Sequence, residues 1–349
     1  MRWMLYGCTG YTGGLIVEEA VRMGMKPVLA GRNAAAVEAT AKRYGLEWQS
    51  FEVKDFSGRL NGFDALALSA GPFVHTSAPA VAECLRAGAS YLDITGEMPV
   101  FAAVYAQDAQ ARDRGVALVP GAGFDIVPSD CLAVYAAENF FSLYAARPTH
   151  LEIALYTDGT LSGGTLKTMM EMASVKGSGS QVKNGKIIAS PLGSRVKQIS
   201  FGKFERTVAG VPLADLLAAQ KSAGVKNIET YAAISPRVLA QMKWARPVME
   251  AALGVPFLRK AAQSAVKAAV RGPSKHVRQN ARTYLYAKAY DDAGRAFEAR
   301  MESIEAYRMT AFCVVLGLTA LAERRPVGAL TPAQAYGVDF ILRLPDTLR

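Results

Sequence analysis

Through the first third of the chain, short apolar runs alternate with longer segments in which alanine, valine and leucine recur at helical spacing. The runs at 2–7, 27–31, 47–53, 64–69, 89–94 and 116–120 predict strands, and the segments at 11–24, 34–44, 77–87 and 98–114 predict amphipathic helices. Such repetition predicts a doubly wound α/β fold, a parallel sheet with helices on both faces. From about Leu151 the rhythm changes. Runs at 151–157, 228–234, 283–290 and 295–303 read as strands among longer helices. Asp291-Asp292-Ala293-Gly294 sits between the last two as a hairpin turn, so that pair is expected to run antiparallel. A second domain of α+β character is therefore expected over 129–304, after a first over 1–128. The apolar run from Ile304 to Glu323 predicts a helix, and Thr331-Pro332 reads as the N-cap and first residue of another. Residues 305–349 are expected to pack back on the first domain.

With 349 residues, 51% of them hydrophobic and 20% charged, the chain is long enough for two cores and too apolar for a disordered protein. Its opening, Met1 to Gly7, enters a strand directly and lacks a signal-peptide pattern. Its longest uncharged apolar run, Met309 to Ala322, falls short of the ~20 residues needed to cross a bilayer. Four scattered cysteines (Cys8, Cys84, Cys131, Cys313) have neither zinc-site spacing nor the density of a disulfide scaffold, so no metal site and a cytoplasmic address are expected. The formal charge of +10 is uneven: Arg237 to Arg282 holds ten Lys and Arg against one acid, Glu250. Apolar positions such as Val238, Leu239, Met242 and Met249 are interleaved with these charges. Residues 237–282 are thus a candidate for peripheral membrane contact, and the same pattern also describes a solvated helix covering a core. The stretch lacks a base-reading motif and stacking aromatics, so nucleic acid is not an expected partner.

The first strand ends in Gly7-Cys8-Thr9-Gly10-Tyr11-Thr12-Gly13-Gly14 and turns into the helical run from Leu15. A Gly-x-x-Gly-x-x-Gly turn of this kind lets backbone N–H groups approach a pyrophosphate while the helix N-terminus supplies partial positive charge. The first domain is on this ground Rossmann-type, with Gly7, Thr9, Gly10, Tyr11, Thr12 and Gly13 as candidate cofactor contacts. The second strand ends in Arg32-Asn33, where an acid would accept hydrogen bonds from the adenosine ribose of NAD. Arginine cannot accept such bonds but pairs with a 2′-phosphate, so NADP(H) is the expected cofactor, preferred over NAD(H). Ser69-Ala70-Gly71-Pro72-Phe73 follows the fourth strand and is expected beside the nicotinamide ribose. Asp93-Ile94-Thr95-Gly96-Glu97 and Gly121-Ala122-Gly123-Phe124-Asp125 follow the next two strands; each reads equally well as ligand-facing or as capping and turn chemistry.

In combination and order, Gly7 to Gly14, Gly31-Arg32, Ala70 to Phe73, Tyr91 to Glu97 and Gly123 to Asp130 resemble the saccharopine dehydrogenase-like oxidoreductase family, including its trans-acting enoyl reductase branch. Ser162-Gly163-Gly164-Thr165, Tyr307 to Ala311 and Leu330 to Ala335 match more loosely. The resemblance implies a Rossmann domain and an α+β domain, NAD(P)(H) bound at the first, substrate held between the two, and a homodimer. No arginine pair is assignable to a multi-carboxylate substrate, which turns the expectation toward the branch that acts on lipid-like products.

Hydride transfer to a C=C, C=O or C=N acceptor needs position and a proton source. His75 is the candidate whose ordinary pKa lies near neutrality, and a surface or capping histidine is its competing reading. Asp125 is read as the holder of a polar substrate group or a support of its loop, and Tyr91 or Tyr11 as proton donors. Tyr284 and Lys288 match the Tyr-x-x-x-Lys of short-chain dehydrogenases, but on a strand they stand about 13 Å apart. The expectation is an NADP(H)-dependent oxidoreductase acting on a small hydrophobic or lipid-like substrate; its rival is a non-catalytic nucleotide-binding module docked through the basic segment.

Overall fold

A computed structural model describes residues 1–159, 181–190, 195–235 and 272–349, which fall into two compact units. The first comprises Met1–Pro128 and Ala306–Leu344, the second Ser129–Glu305 and Pro345–Arg349. The last five residues, expected with the C-terminal segment on the first domain, thus belong to the second unit, where Leu348 bridges to Glu302.

In the first unit β1 (Trp3–Tyr6), β2 (Val28–Gly31), β3 (Trp48–Ser50), β4 (Ala65–Leu68), β5 (Ser90–Asp93) and β6 (Ala117–Val119) form a parallel sheet. A two-residue strand, Gly328–Ala329, extends it, giving the order Gly328–Ala329, β6, β5, β4, β1, β2, β3. Every residue of β1, β2 and β4 is buried, as strands covered on both faces require. The chain leaves β1 in one direction to build β2 and β3, then crosses back to place β4 on the other side. The carboxyl ends of β1 and β4 therefore frame the topological switch point, where open α/β sheets bind ligands.

Helices α1 (Tyr11–Arg22), α2 (Ala34–Tyr44), α3 (Phe73–Ala87), α4 (Met98–Tyr105) and α5 (Asp108–Asp113) connect these strands. Two departures from the expected helices have local causes. α3 begins at Phe73, before the predicted 77, because the Glu97 carboxylate accepts from the N–H groups of Phe73 (3.0 Å) and Val74 (2.8 Å) and so caps an earlier turn. The helix predicted over 98–114 is two, and the second opens at Asp108, whose carboxylate is held by Arg112 (2.8 Å) and by the N–H of Ala329 (2.8 Å).

Helix Ala306–Arg324 lies on α1: Tyr11 meets Tyr307 edge to face at 5.2 Å, and the Arg22 guanidinium sits 5.3 Å from the Phe312 ring centre. Among the described residues it is the helix long and apolar enough to cross a membrane by length and composition, and 72% of that apolar stretch is buried within the protein. Burial on this scale is what a core helix shows. Beyond it Thr331 and Gln334 form a reciprocal capping box with Pro332 in the first turn, in agreement with the pattern of the sequence.

The second unit holds β7 (His150–Thr157), β8 (Gln181–Lys183), β9 (Lys186–Ile188), β10 (Val196–Ser200), β11 (Glu205–Gly210), β12 (Asn227–Ala233), β13 (Arg282–Tyr290) and β14 (Ala296–Ile304). Six of these follow in the order β10, β11, β12, β7, β13, β14, and β8 joins through β12 with β9 beside it. The β13–β14 hairpin is antiparallel, and Asp291 fixes its turn by accepting from the N–H groups of Ala293 and Arg295 and from the Arg295 guanidinium. On one face Tyr156, Tyr231, Tyr284 and Tyr286 line up, with Arg206 over Tyr156, Lys197 over Tyr231 and Arg300 over Tyr286. Helix α6 (Val127–Tyr144) ties itself to the hairpin through a hydrogen bond from the Tyr144 hydroxyl to the Ala296 carbonyl (3.2 Å). Ser162 to Thr165 and residues 237–271 of the basic segment lie outside the described residues.

Thr331 is fully buried and its hydroxyl accepts the Gln334 N–H, so Thr331→Ala is expected to cost about 1–2 kcal/mol, read as a lower urea midpoint, with Thr331→Ser recovering most of it.

Candidate dinucleotide site

The turn after β1 is built by the absence of side chains. Gly7 has φ +99°, and a Cβ there would stand 2.8 Å from the Ala70 nitrogen and from the Ser69 Oγ. A Cβ on Gly13 would stand 2.1 Å from the Gly7 carbonyl oxygen. The two glycines therefore let α1 close on the ends of β1 and β4. Gly10 is the N-cap of α1 and brings no side chain to its first turn, and no acid stands there. The backbone N–H groups over Tyr11 to Gly13 thus sit at the positive end of the helix, at the switch point. A Cβ at Gly10 would meet nothing closer than 3.4 Å, so its role is openness and not packing. Thr9 and Thr12 lie in the same turn, and Tyr11 is partly buried with its ring against Tyr307.

At the end of β2 Arg32 is exposed, and among the described residues it takes part in no ion pair. Asn33, expected to touch the cofactor, also serves the fold, since its side-chain oxygen accepts the Ala36 N–H (3.1 Å) and caps α2. Ser69 also braces the turn, its hydroxyl donating to the Tyr6 carbonyl (3.2 Å) beside the two glycines. Ala70 and Pro72 offer their carbonyls to the Thr76 hydroxyl, Gly71-Pro72 is a cis peptide, and Phe73 is buried in the core of the first unit. The segment 69–73 thus forms the wall of the site through backbone and packing.

Tyr91 is corrected as a proton donor. It is fully buried in the core, its hydroxyl donates to Asp93 (2.7 Å), and burial, with Asp93 beside it, pushes its pKa well above the ordinary value. Asp93 itself is buried and accepts from Tyr91, Thr95 N–H (3.0 Å) and Gly121 N–H (2.8 Å), which joins the ends of β5 and β6; burial raises its carboxyl to about 6. Glu97, visible in the sequence only as an acid in a glycine-rich turn, caps α3 from 23 and 24 residues away, and its own N–H donates to Thr95 Oγ1 (3.0 Å). No local pattern announces a partner at that separation.

Two sequence candidates remain at the open edge. Asp125 is exposed, and its carboxylate lies where a Cβ on Gly96 would come within 3.1 Å. Enough protein surrounds it to strip part of its hydration, which raises its carboxyl to about 6. Its loop is held from a direction the sequence does not advertise: Thr310 of the C-terminal helix accepts the Phe124 N–H (3.1 Å), and its methyl would meet a Cβ on Gly123 at 2.9 Å. His75 is exposed on the first turn of α3, one residue past the Glu97-capped Val74. Glu97 follows Gly96 directly, so the chain path Asp125, Gly96, Glu97, Val74, His75 puts both candidates along the carboxyl edges of β4 to β6.

All four cysteines are buried; burial raises Cys8 to about 11 and lifts Cys84 and Cys313 well above their ordinary values, so none is a ready thiolate. Among the described residues no cluster of His, Cys, Asp and Glu is arranged to hold a metal. Tyr284 and Lys288 lie on β13, as the alternation required, so no short-chain dehydrogenase pair exists. On the second unit a cavity of about 470 Å³ is lined by Tyr156, Gln198, Arg206, Thr207, Ala233 and Ile234, among others.

Fold and site define the class: a Rossmann-type α/β unit with a glycine turn at its switch point, joined to a second, mixed-sheet unit. No family model matches the chain. A Mycobacterium tuberculosis (strain ATCC 25618 / H37Rv) protein named for the trans-acting enoyl reductases is 34% identical over 191 residues, which cover 49% of this chain and 44% of that protein. In that comparison the chain spans under half of its relative's length. The trans-acting enoyl reductase of Mycobacterium bovis (strain BCG / Pasteur 1173P2) is 24% identical over 410 aligned residues, covering 98% of this chain and 95% of its own. Among solved structures, apo saccharopine dehydrogenase (L-Glu forming) from Saccharomyces cerevisiae superimposes with a TM-score of 0.63 over 98% of this chain and 96% of that one, at 13% identity. The chain is thus similar in sequence to proteins named trans-acting enoyl reductases and shares the fold of saccharopine dehydrogenase.

The buried Asp93 supplies a pH test. Its folded-state value, about 6, lies above the ordinary 3.8, so the folded protein binds a proton that the unfolded chain releases between those values. This contribution is complete below pH 3.8 and is lost as pH rises through 6. The stability difference between wild type and Asp93→Asn is expected to shift toward wild type by on the order of 2–3 kcal/mol between pH 7 and pH 4, measured by urea unfolding of both.

Proposed function

We propose that the protein is an NADP(H)-dependent oxidoreductase that reduces a polarised double bond of a hydrophobic, lipid-like substrate. The observation that carries the reading is the glycine cradle: Gly7 and Gly13 permit a close approach no other residue allows, and the uncapped first turn of α1 faces the switch point. A dinucleotide pyrophosphate fits that chemistry. Arg32 at the end of β2 supports a 2′-phosphate, and the names of the enoyl reductase relatives support a C=C acceptor. The cofactor, when bound, supplies the hydride equivalent. The protein must then hold the acceptor and deliver a proton to the atom next to the reduced carbon. Asp125 suits proton delivery best, since its loop is braced by Thr310 and its carboxyl is raised toward the neutral range.

Titration of the purified protein with NADPH, followed by a panel of enoyl, ketone and imine lipids, tests the reading. Saturable binding and consumption of NADPH with one lipid class is the expected result; binding without consumption by any class overturns the enzymatic reading.

Asp125→Asn is expected to lower kcat about a hundredfold while leaving NADPH binding within a factor of two. In wild type the proton-donating form of Asp125 in the free protein is lost as pH rises through about 6, so kcat/KM is expected to plateau below that value and fall above it. A flat profile between pH 5 and 8 would remove Asp125 from the proton transfer.

A further inference from the structure

β2 and β3 run side by side in parallel, with Gly31 opposite Ser50 and the Phe51 N–H donating to the Gly31 carbonyl (3.2 Å). The residues that follow, Arg32 on one strand and Glu52 on the other, therefore leave the sheet at the same edge. The Tyr6 hydroxyl marks the spot, donating to the Phe51 carbonyl (3.0 Å). Burial and then Glu52 raise its pKa to about 12, Arg32 opposes them, and Asp55 adds to the negative side. Arg32, Glu52 and Asp55 are all exposed, and among the described residues none of the three side chains enters an ion pair. Of the other cations in this segment, Lys54 is exposed between Glu52 and Asp55, and the Arg59 guanidinium is turned to the Phe51 ring (5.1 Å) and to the Asp55 carbonyl (3.4 Å).

We infer that Arg32 and Glu52 form an opposed selector pair for the adenosine ribose, Arg32 favouring a 2′-phosphate and Glu52 favouring a free 2′-hydroxyl. This deepens the cofactor reading above and rests on it. A guanidinium pairs with a phosphate; a carboxylate accepts a hydrogen bond from a ribose hydroxyl and repels a phosphate dianion. With both at one edge, the protein uses both nicotinamide dinucleotides, and the preference for NADP(H) is narrow. The sequence alone suggests a one-sided selector, because the position after β2 is local to the glycine turn's own βαβ unit; the acid arrives from β3.

Fluorescence titration of wild type, Glu52→Gln and Arg32→Gln with NADPH and NADH tests the pair. Both side chains are exposed, and thermal unfolding of each variant confirms that it is folded. Glu52→Gln is expected to raise the NADPH-to-NADH affinity ratio about tenfold, and Arg32→Gln to lower it by a similar factor. If Glu52→Gln leaves the ratio unchanged while both nucleotides still bind, the selector pair is overturned and the cofactor reading stands. If wild type binds neither nucleotide, both fall together.

Discussion

Where Gly7 faces Gly13, the carbonyl of one glycine stands at 2.1 Å from the place where the other would carry its Cβ, and a third wall is made by Ser69 and Ala70 at the end of β4. This three-way approach of turn, helix and neighbouring strand sets where α1 begins. From that follows the rest of the site: the first-turn N–H groups of α1 gather at the switch point, and the turn after β4 has to bend away through Gly71-Pro72 before α3 can start. Any side chain at these two glycines would displace α1 from β4, and the anion-holding geometry would be lost with it.

The carboxyl edges of the sheet are then joined to each other by buried carboxylates. Asp93 reaches from β5 to the Gly121 N–H after β6, and Glu97 reaches from the turn after β5 to the N-terminus of α3 after β4. Each acid satisfies backbone donors that burial would otherwise leave unpaired, and the cost of such orphans is what makes the two loops act as one piece. The C-terminal helix adds the third brace through Thr310 to Phe124 and Tyr307 to Tyr11. A helix 186 residues along the chain from one glycine-rich loop, and farther still from the other, thus shapes both loops of the first unit.

What the sequence revealed and what it hid divide along this line. The strands of the parallel sheet, the glycine turn, the β13–β14 hairpin and the Thr331 cap are local signals, carried by periodicity or by residues within a few positions of each other. Tyr91 is misread because its side chain suits a ligand, and only its three-dimensional partner, Asp93, reveals that it is spent. Glu97 and Thr310 escaped for the converse reason: their partners lie far along the chain, and nothing nearby distinguishes them from an ordinary acid or threonine. The short strands β8 to β11 carry mixed polar and apolar residues, with β9 exposed throughout, so no alternation marked them as sheet.

In the second sheet some of the cations are already engaged at short range. Part of the positive excess is stacked on aromatic rings and paired with acids: Lys197 lies over Tyr231 and binds Glu152, and Arg300 lies over Tyr286 and binds Glu298. A cation held between a ring and a carboxylate is not available to recruit an anionic partner, because its field is already neutralised at short range. Arg32 has neither a stacking ring nor an ion-pairing acid among the described residues, and it stands at the edge to which the proposed cofactor reading assigns the adenosine. The useful distinction among the many cations of this chain is therefore between those the fold has already spent and those it leaves open, and only the second kind carries information about a ligand.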